Sequence, residues 1–484
     1  MFFGYRLLFI ESILKKTWVV LDKCIFLSAT GGVLCIFSII ALIWGVTSIH
    51  ISHYSSTLLP QIIIDPNTLR FVEKTTGRTV QIHGVNIVVK GDPWIPYPFN
   101  EPNYQDLLGG PQTRYSLVTK DFELLQQYGI NGIRLGVMMP GVFPTKDMKP
   151  NIQYLKGIKG IIDTAAQYNI YVMLDFHQDL LSSIFCGEGI PIWFGQQLLN
   201  TDKPWPFPLA GKNIDGLLKK LNIPFLPLEG KKNSPGCKWE DSRGRLDPKY
   251  PISNQCKCAA STPESQNGQV MYGAWQLLEA FETLYTNKKF QQYIINYWNT
   301  ILNFLSGTNI FCIDIINEPL FGNAYKHIWK ALEGNNQYLL PFYDTIIAGI
   351  QEKNKDTLIS FEPITFTPPL PPFKRLPKSQ KNNLIYNRHY YSLNGDLKTF
   401  LNNEMQWAKN NRIPMILSEF ESPGYNINNF HIIRDFCNEH FIPSFFWEFK
   451  TFTSLHDCAP WNYGITGYGG GLFSAQSSPN PRPN

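Results

Sequence analysis

Eight short apolar runs, rich in β-branched residues and separated by longer segments of helical period, occupy the chain between residues 80 and 447. They are Val80–Val88, Gly132–Val137, Ile170–Phe176, Ile310–Ile316, Thr357–Phe361, Leu384–His389, Pro414–Phe420 and Ile442–Trp447. Helical period marks Thr119–Tyr128, Gly157–Gln167, Trp275–Thr286, Phe290–Leu305, Leu339–Glu352, Leu397–Asn410 and Asn428–His440. Strands that alternate with helices run parallel, because each helix carries the chain back to the end of the sheet where the previous strand began. Eight such units predict an α/β fold closed into a (β/α)8, or TIM, barrel rather than an open sheet.

One interval breaks the alternation. From about residue 180 to residue 272 the chain is rich in Pro, Gly and Lys, has no clear period, and carries Cys186, Cys237, Cys256 and Cys258. An irregular segment of that length fits a compact domain only where it serves function. It reads as an insertion after the third barrel strand, on the face where loops build the active site.

The N-terminus is organised differently. Cys24 to Ile49 form a span with no formal charge, long enough for a transmembrane helix. Arg6, Lys15, Lys16 and Lys23 precede it, against Glu11 and Asp22, and the next charge after it is Asp65. The excess of basic residues on the N-terminal side predicts a cytosolic segment 1–23, a signal anchor 24–49, a linker 50–64 and a lumenal or extracellular barrel 65–484, as in a single-pass type II membrane protein. The alternative is secretion after signal cleavage, with Val46 and Ser48 as the small residues before the cut.

Hydrophobic residues make up 44% of the chain and charged residues 17%, which excludes a disordered protein. A net charge of +5 over 484 residues, without a basic cluster, gives no surface for nucleic acid. Aromatic residues reach 14%, enough to line surfaces as well as the core. Outside the apolar span there are seven cysteines. Cys312 lies in an apolar run and is expected to be a buried free thiol. Cys186, Cys237, Cys256, Cys258, Cys437 and Cys458 remain available for disulfides of undetermined pairing. No Cys or His cluster completes a zinc site. No Asn-x-Ser/Thr acceptor occurs, so one usual companion of a lumenal domain is absent.

In a barrel of this kind the chemistry sits at the C-terminal ends of the strands. The fourth run ends in Asn317, Glu318 and Pro319, and the seventh ends in Glu419. One glutamate at such a place is readily a solvated or salt-bridged residue, but two on one barrel mouth form the pair that acid/base and nucleophilic chemistry need. Arg134 lies inside the second apolar run, where an unpaired charge is costly, so it is expected to pair with a carboxylate and hold it ionised. The third run ends in Asp175, His177 and Gln178, the sixth in Asn387, His389, Tyr390 and Tyr391, and the eighth in Trp447, an apolar floor for a sugar ring.

Together, HGVN (His83–Asn86), GIRLGV with MPGVFP (Gly132–Pro144), DFHQDLLSSIFCGEGIPIW (Asp175–Trp193), INEPLFGN (Ile316–Asn323), HYY (His389–Tyr391), SEFESPG (Ser418–Gly424) and WEFK (Trp447–Lys450) resemble family 5 glycoside hydrolases, most of all the endoglycoceramidases. The resemblance implies a retaining β-glycosidase that cleaves between glycan and ceramide, with Glu318 as acid/base and Glu419 as nucleophile. It implies that Arg134, His177, Asn317, His389, Tyr391 and Trp447 position the sugar, and that neither metal nor organic cofactor takes part. Alternatives are a β-glucosidase or endoglucanase on other β-glucosides, or a glycan-binding barrel without catalysis. Met139 and Leu320 stand where such proteins often carry Trp, so an altered sugar platform is expected. Glu421 adds a charge where Gly is usual.

Overall fold

A computed structural model of the chain describes residues 59–91, 93–96, 117–185, 187–199, 272–364, 372–379, 383–391, 396–420 and 427–449. The barrel strands are β3 (His83–Ile87), β4 (Gly132–Gly136), β5 (Tyr171–Asp175), β6 (Ile310–Asp314), β7 (Ile359–Phe361), β8 (Leu384–Tyr390), β9 (Met415–Phe420) and β10 (Ser444–Phe446). They pair in parallel in chain order, and β10 closes on β3. Each lies within one of the eight apolar runs or extends it by a residue, so the closed barrel follows the alternation in the sequence.

The helices are α1 (Thr119–Gln127), α2 (Met139–Val142), α3 (Ile152–Gln167), α4 (Ile192–Leu198), α5 (Trp275–Thr286), α6 (Lys288–Phe304), α7 (Ile328–Leu332), α8 (Leu340–Gln351), α9 (Leu397–Asn410) and α10 (Ile427–His440). Their starts are set by local chemistry. Asn151, Asn287 and Asp396 accept a backbone N–H from the first turns of α3, α6 and α9 respectively.

A short antiparallel hairpin, β1 (Ile62–Ile64) and β2 (Phe71–Glu73), precedes the barrel and was not visible in the alternation. Residues read as linker thus end in a strand. Ile62, Ile64 and Phe71 join Ile82, Tyr171, Met173, Phe311, Cys312, Leu358, Ile385, Ile416 and Phe445 in one buried cluster. These barrel residues lie between the residue before each strand and its middle, so the hairpin plugs the bottom of the barrel.

Moving up the strands, the alternation of side chains brings polar groups into the same interior. On β5, Met173 belongs to the apolar bottom layer and Asp175 stands two residues later; on β8, Ile385 is followed by Asn387 and His389. The larger apolar cluster, including Val172, Leu174, Leu384 and Leu417, packs between strands and helices.

Gly84 shows how tight the bottom layer is, because a Cβ there would stand 2.1 Å from the Phe445 ring. Cys312 is buried and free as expected, whereas Cys437, expected among the disulfide candidates, is also a buried free thiol. It faces the apolar packing of α10, and burial pushes its thiol up to about 12 against a hydrogen bond with Ser444. Cys186, Cys237, Cys256, Cys258 and Cys458 lie outside the described residues, as does the 24–49 span; among the described residues no helix is long and apolar enough to cross a membrane. At the start of the interval from about 180 to 272, Ser183–Phe185 form a 3-10 turn and α4 follows; residues 200–271 lie outside the described residues.

Candidate active site

Arg134 is the centre of the site. It projects from β4 into the polar layer and is fully buried. Its Nη1 donates to Glu419 Oε1 at 2.6 Å and to Asn86 Oδ1 at 3.1 Å, and its Nη2 donates to Asp314 Oδ2 at 2.7 Å and Asn317 Oδ1 at 2.8 Å. Asp175 lies 3.0 Å and Glu362 3.7 Å from Nη2. Burial works against the guanidinium charge, but Asp175, Asp314, Glu419 and Glu362 outweigh it and hold the group protonated. Both oxygens of Glu419 act as acceptors, since Tyr391 donates its hydroxyl to Oε2 at 2.6 Å.

Glu318 is held differently. It follows β6 with φ +40, a left-handed backbone that costs a side-chain-bearing residue about 1–3 kcal/mol and persists only where surroundings over-determine it. Gln178 Nε2 donates to the carbonyls of Asn317 at 2.6 Å and Glu318 at 3.0 Å, and Asn317 Nδ2 donates back to the Gln178 carbonyl at 3.1 Å. Among the described residues the Glu318 carboxyl meets no arginine or lysine; it faces His389 Nδ1 at 2.8 Å. Burial pushes its carboxyl up to about 8, with Glu419 and Asp179 adding to the rise and His389 opposing it. One oxygen of Glu318, one of Glu419 and one nitrogen of His389 lie within 4.8 Å of one another. Two carboxyl groups about 5–5.5 Å apart suit double displacement with retention of configuration, whereas inversion needs a wider gap for water.

A second cluster flanks the pair. His177 Nδ1 lies 2.8 Å from Asp175 Oδ2, and its ring stacks on Trp447 with centroids 5.4 Å apart. Burial disfavours the His177 cation, yet Asp175 beside it raises its affinity for a proton. Lys90 contacts Asp179, lies 3.4 Å from Glu188, and sits 4.9 Å from the Trp447 ring centroid. Burial alone would push the Asp179 carboxyl up, but Lys90 and His177 hold it far below the usual range. His177, Asp179 and Glu188 have the donor types of a metal site, but the Lys90 ammonium already supplies a cation to both carboxylates.

The FCGEG stretch gains a physical reason here. Asp179 and Glu188 exchange backbone hydrogen bonds at 3.0 and 2.8 Å, and a Cβ on Gly187 would stand 1.8 Å from the Asp179 carbonyl. Only glycine lets this turn close and bring Glu188 against Lys90.

The family model described as Cellulase (glycosyl hydrolase family 5) matches residues 98–203 and 272–453. The chain belongs to glycosyl hydrolase family 5. The gap between the two matched segments falls inside the insertion after β5. Among curated proteins, this family 5 chain is 28% identical over 403 residues to an endoglycoceramidase of Hydra vulgaris, covering 81% of this chain and 67% of that protein. It is 30% identical over 340 residues to an endoglycoceramidase of Cyanea nozakii, covering 68% of this chain and 57% of that protein. Among solved structures, endo-glycoceramidase II from Rhodococcus sp. with a cellobiose-like imidazole matches with a TM-score of 0.51 at 16% identity, over 80% of this chain and 75% of that one. An endogalactoceramidase crystal structure matches with a TM-score of 0.51 at 18% identity, over 81% and 75% of the two chains. These two structures share the barrel fold.

The eight residues to which the resemblance gave a role surround one barrel mouth: Glu318, Glu419, Arg134, His177, Asn317, His389, Tyr391 and Trp447. The sequence did not single out Glu362, Asp314, Lys90, Asp179, Glu188 or Tyr272 as site residues. Glu362 directly follows the fifth apolar run, the same signal that marks Glu318 and Glu419, so it was within reach. Tyr272 ends the irregular insertion and carried no such signal. Its phenol is held un-ionised by burial and by the nearby Asp179, Glu318, Glu188 and Glu419. Met139 and Leu320 are both buried in the larger apolar cluster. Glu421 lies outside the described residues.

Proposed function

We propose that this family 5 chain is a retaining β-glycosidase that cleaves glycolipids between glycan and ceramide, with Glu419 as nucleophile and Glu318 as acid/base. The observation that carries the reading is the contrast between two nearby carboxyl groups. Glu419 accepts hydrogen bonds from Arg134 and Tyr391, while burial raises the Glu318 carboxyl so that it retains a proton near neutral pH. A carboxyl group that keeps its proton suits the acid, and one gripped by hydrogen-bond donors suits the nucleophile.

Glu419 attacks the anomeric carbon as Glu318 gives its proton to the glycosidic oxygen, and the ceramide alcohol leaves. Water then attacks the glycosyl–Glu419 ester, Glu318 takes the water's proton, and the reducing sugar departs with the Glu419 carboxylate restored. Arg134 and Tyr391 hold the nucleophile, His389 and Gln178 hold the acid, and Trp447 with His177 offers a ring face beside the pair. The glycolipid substrate is supported by the curated endoglycoceramidases that the chain resembles over most of its length. A signal anchor at 24–49, with the barrel lumenal or extracellular, would hold the site near a lipid substrate; a cleaved signal peptide is the other reading of that span.

The test is product analysis on a ganglioside and a glucosylceramide. Release of intact glycan and ceramide is expected, and Glu419→Gln is expected to abolish it while leaving the unfolding transition in place. Stepwise release of monosaccharides would point to an exo-glycosidase, and wild-type turnover by Glu419→Gln would remove the nucleophile assignment.

A further inference from the structure

Glu362 is a buried carboxylate at the C-terminal end of β7 that the proposed reaction does not use. Its Oε2 accepts the backbone N–H of Glu318 at 3.2 Å. Its Oε1 accepts from Asn387 Nδ2 at 3.2 Å and lies 3.2 Å from His389 Nε2. The other nitrogen of that imidazole faces Glu318 Oε1 at 2.8 Å.

We propose that Glu362 is a positioning residue for the acid/base, fixing the Glu318 peptide through its N–H and the Glu318 carboxyl through His389. This rests on the glycosidase reading above. Glu318 stands at φ +40, and the peptide group that precedes it is held at its two ends by different elements. Gln178, after β5, holds the carbonyls of Asn317 and Glu318, and Glu362, after β7, holds the N–H. Without Glu362 the N–H side of this clamp is lost and a left-handed glutamate is free to relax. The imidazole is fixed as well. Its Nε2 lies 2.9 Å from Ser418 Oγ and 3.2 Å from Glu362 Oε1, which holds the ring so that Nδ1 faces Glu318.

Other charged groups face Glu362 from the elements around it: Arg134 on β4 at 3.7 Å, Asp314 on β6, Asp175 on β5 and Glu419 on β9. Burial, together with Glu419 and Asp175, raises the Glu362 carboxyl to about 7 against Arg134 and Asp314, which agrees with a group tied into the protonation of this cluster. Glu362 acts through Glu318 and His389.

A residue that positions the acid matters most when the leaving group needs a proton. The test is kcat/KM for a series of aryl β-cellobiosides whose leaving groups run from 2,4-dinitrophenol to phenol, on wild type, Glu362→Gln and Glu362→Leu. Glu362→Gln keeps an acceptor for the N–H and loses the charge beside His389; Glu362→Leu loses both. Glu362→Leu is expected to lose roughly 100-fold on the phenyl glycoside and far less on the dinitrophenyl glycoside, with Glu362→Gln between it and wild type. A loss equal across the series in either variant, or a wild-type slope in Glu362→Gln, overturns the assignment; if Glu362→Leu does not fold, the isosteric Gln variant decides alone. Failure of wild type to cleave any member of the series would instead strike the glycosidase reading itself.

Discussion

Arg134 illustrates what a single residue does in this barrel. One guanidinium lies among Asp175, Asp314, Glu362 and Glu419, all buried with it. The layer therefore holds more carboxyl groups than permanent cations, and it answers by retaining protons. Burial and the neighbouring Glu362 raise the Asp314 carboxyl far above its usual range, and Glu362 and Glu318 rise with it. Removing one partner of a buried ion network leaves charges without compensation, at a cost of about 3–5 kcal/mol. Arg134→Met should lower stability by that amount in urea unfolding and should abolish activity. A stability equal to wild type would mean that the carboxyl groups alone can take up enough protons to replace the arginine. The position of Arg134 was legible because a charge inside an apolar strand must face something polar. Its shared partners were not, because they come from β5, β6, β7 and β9.

At the scale of elements, strand period and close packing carry the design. The same alternation that buries Met173, Ile385 and Ile416 at the bottom raises Asp175, Asn387 and Ser418 into the polar layer above. Catalytic geometry is thus continuous with core packing along each strand. Gly84 on β3 sits under the Phe445 ring of β10 at the seam where the barrel closes, and a methyl group would overlap that ring. Gly84→Ala should destabilise by about 1–3 kcal/mol through overpacking, read as a lower denaturation midpoint with an unchanged slope. A midpoint equal to wild type would show that the Phe445 ring can move aside at no cost. The hairpin β1–β2 escaped the sequence because its strands have three residues each, too short for a period to show, and because its role is to cover other strands' ends. The helix starts, by contrast, were written locally in Asn151, Asn287 and Asp396.

For the whole molecule, the buried proton-retaining layer predicts how stability follows pH. The folded state raises the carboxyl groups of Glu318 to about 8 and Glu362 to about 7, and raises Asp314 and His177 as well. A group whose affinity for protons is higher folded than unfolded stabilises the fold at low pH and loses that contribution as pH rises through its folded value. Asp179, Asp344 and Asp396 are shifted downward, so their contribution is lost only in acid. The thermal midpoint should therefore fall by a few degrees between about pH 5.5 and pH 8.5. A midpoint that rises over this range would show that the layer is not protonated in the folded protein. The chain by itself determined the eight strands, the helices between them and the glutamates at the ends of the fourth and seventh runs, because period and strand-end position are local properties. The free state of Cys437, the burial of Met139 and Leu320, the hairpin plug and the grip of Glu362 on Glu318 were decided only by tertiary structure. Each depends on which distant residues closure of the barrel brings within bonding distance, and no short window of sequence contains both partners.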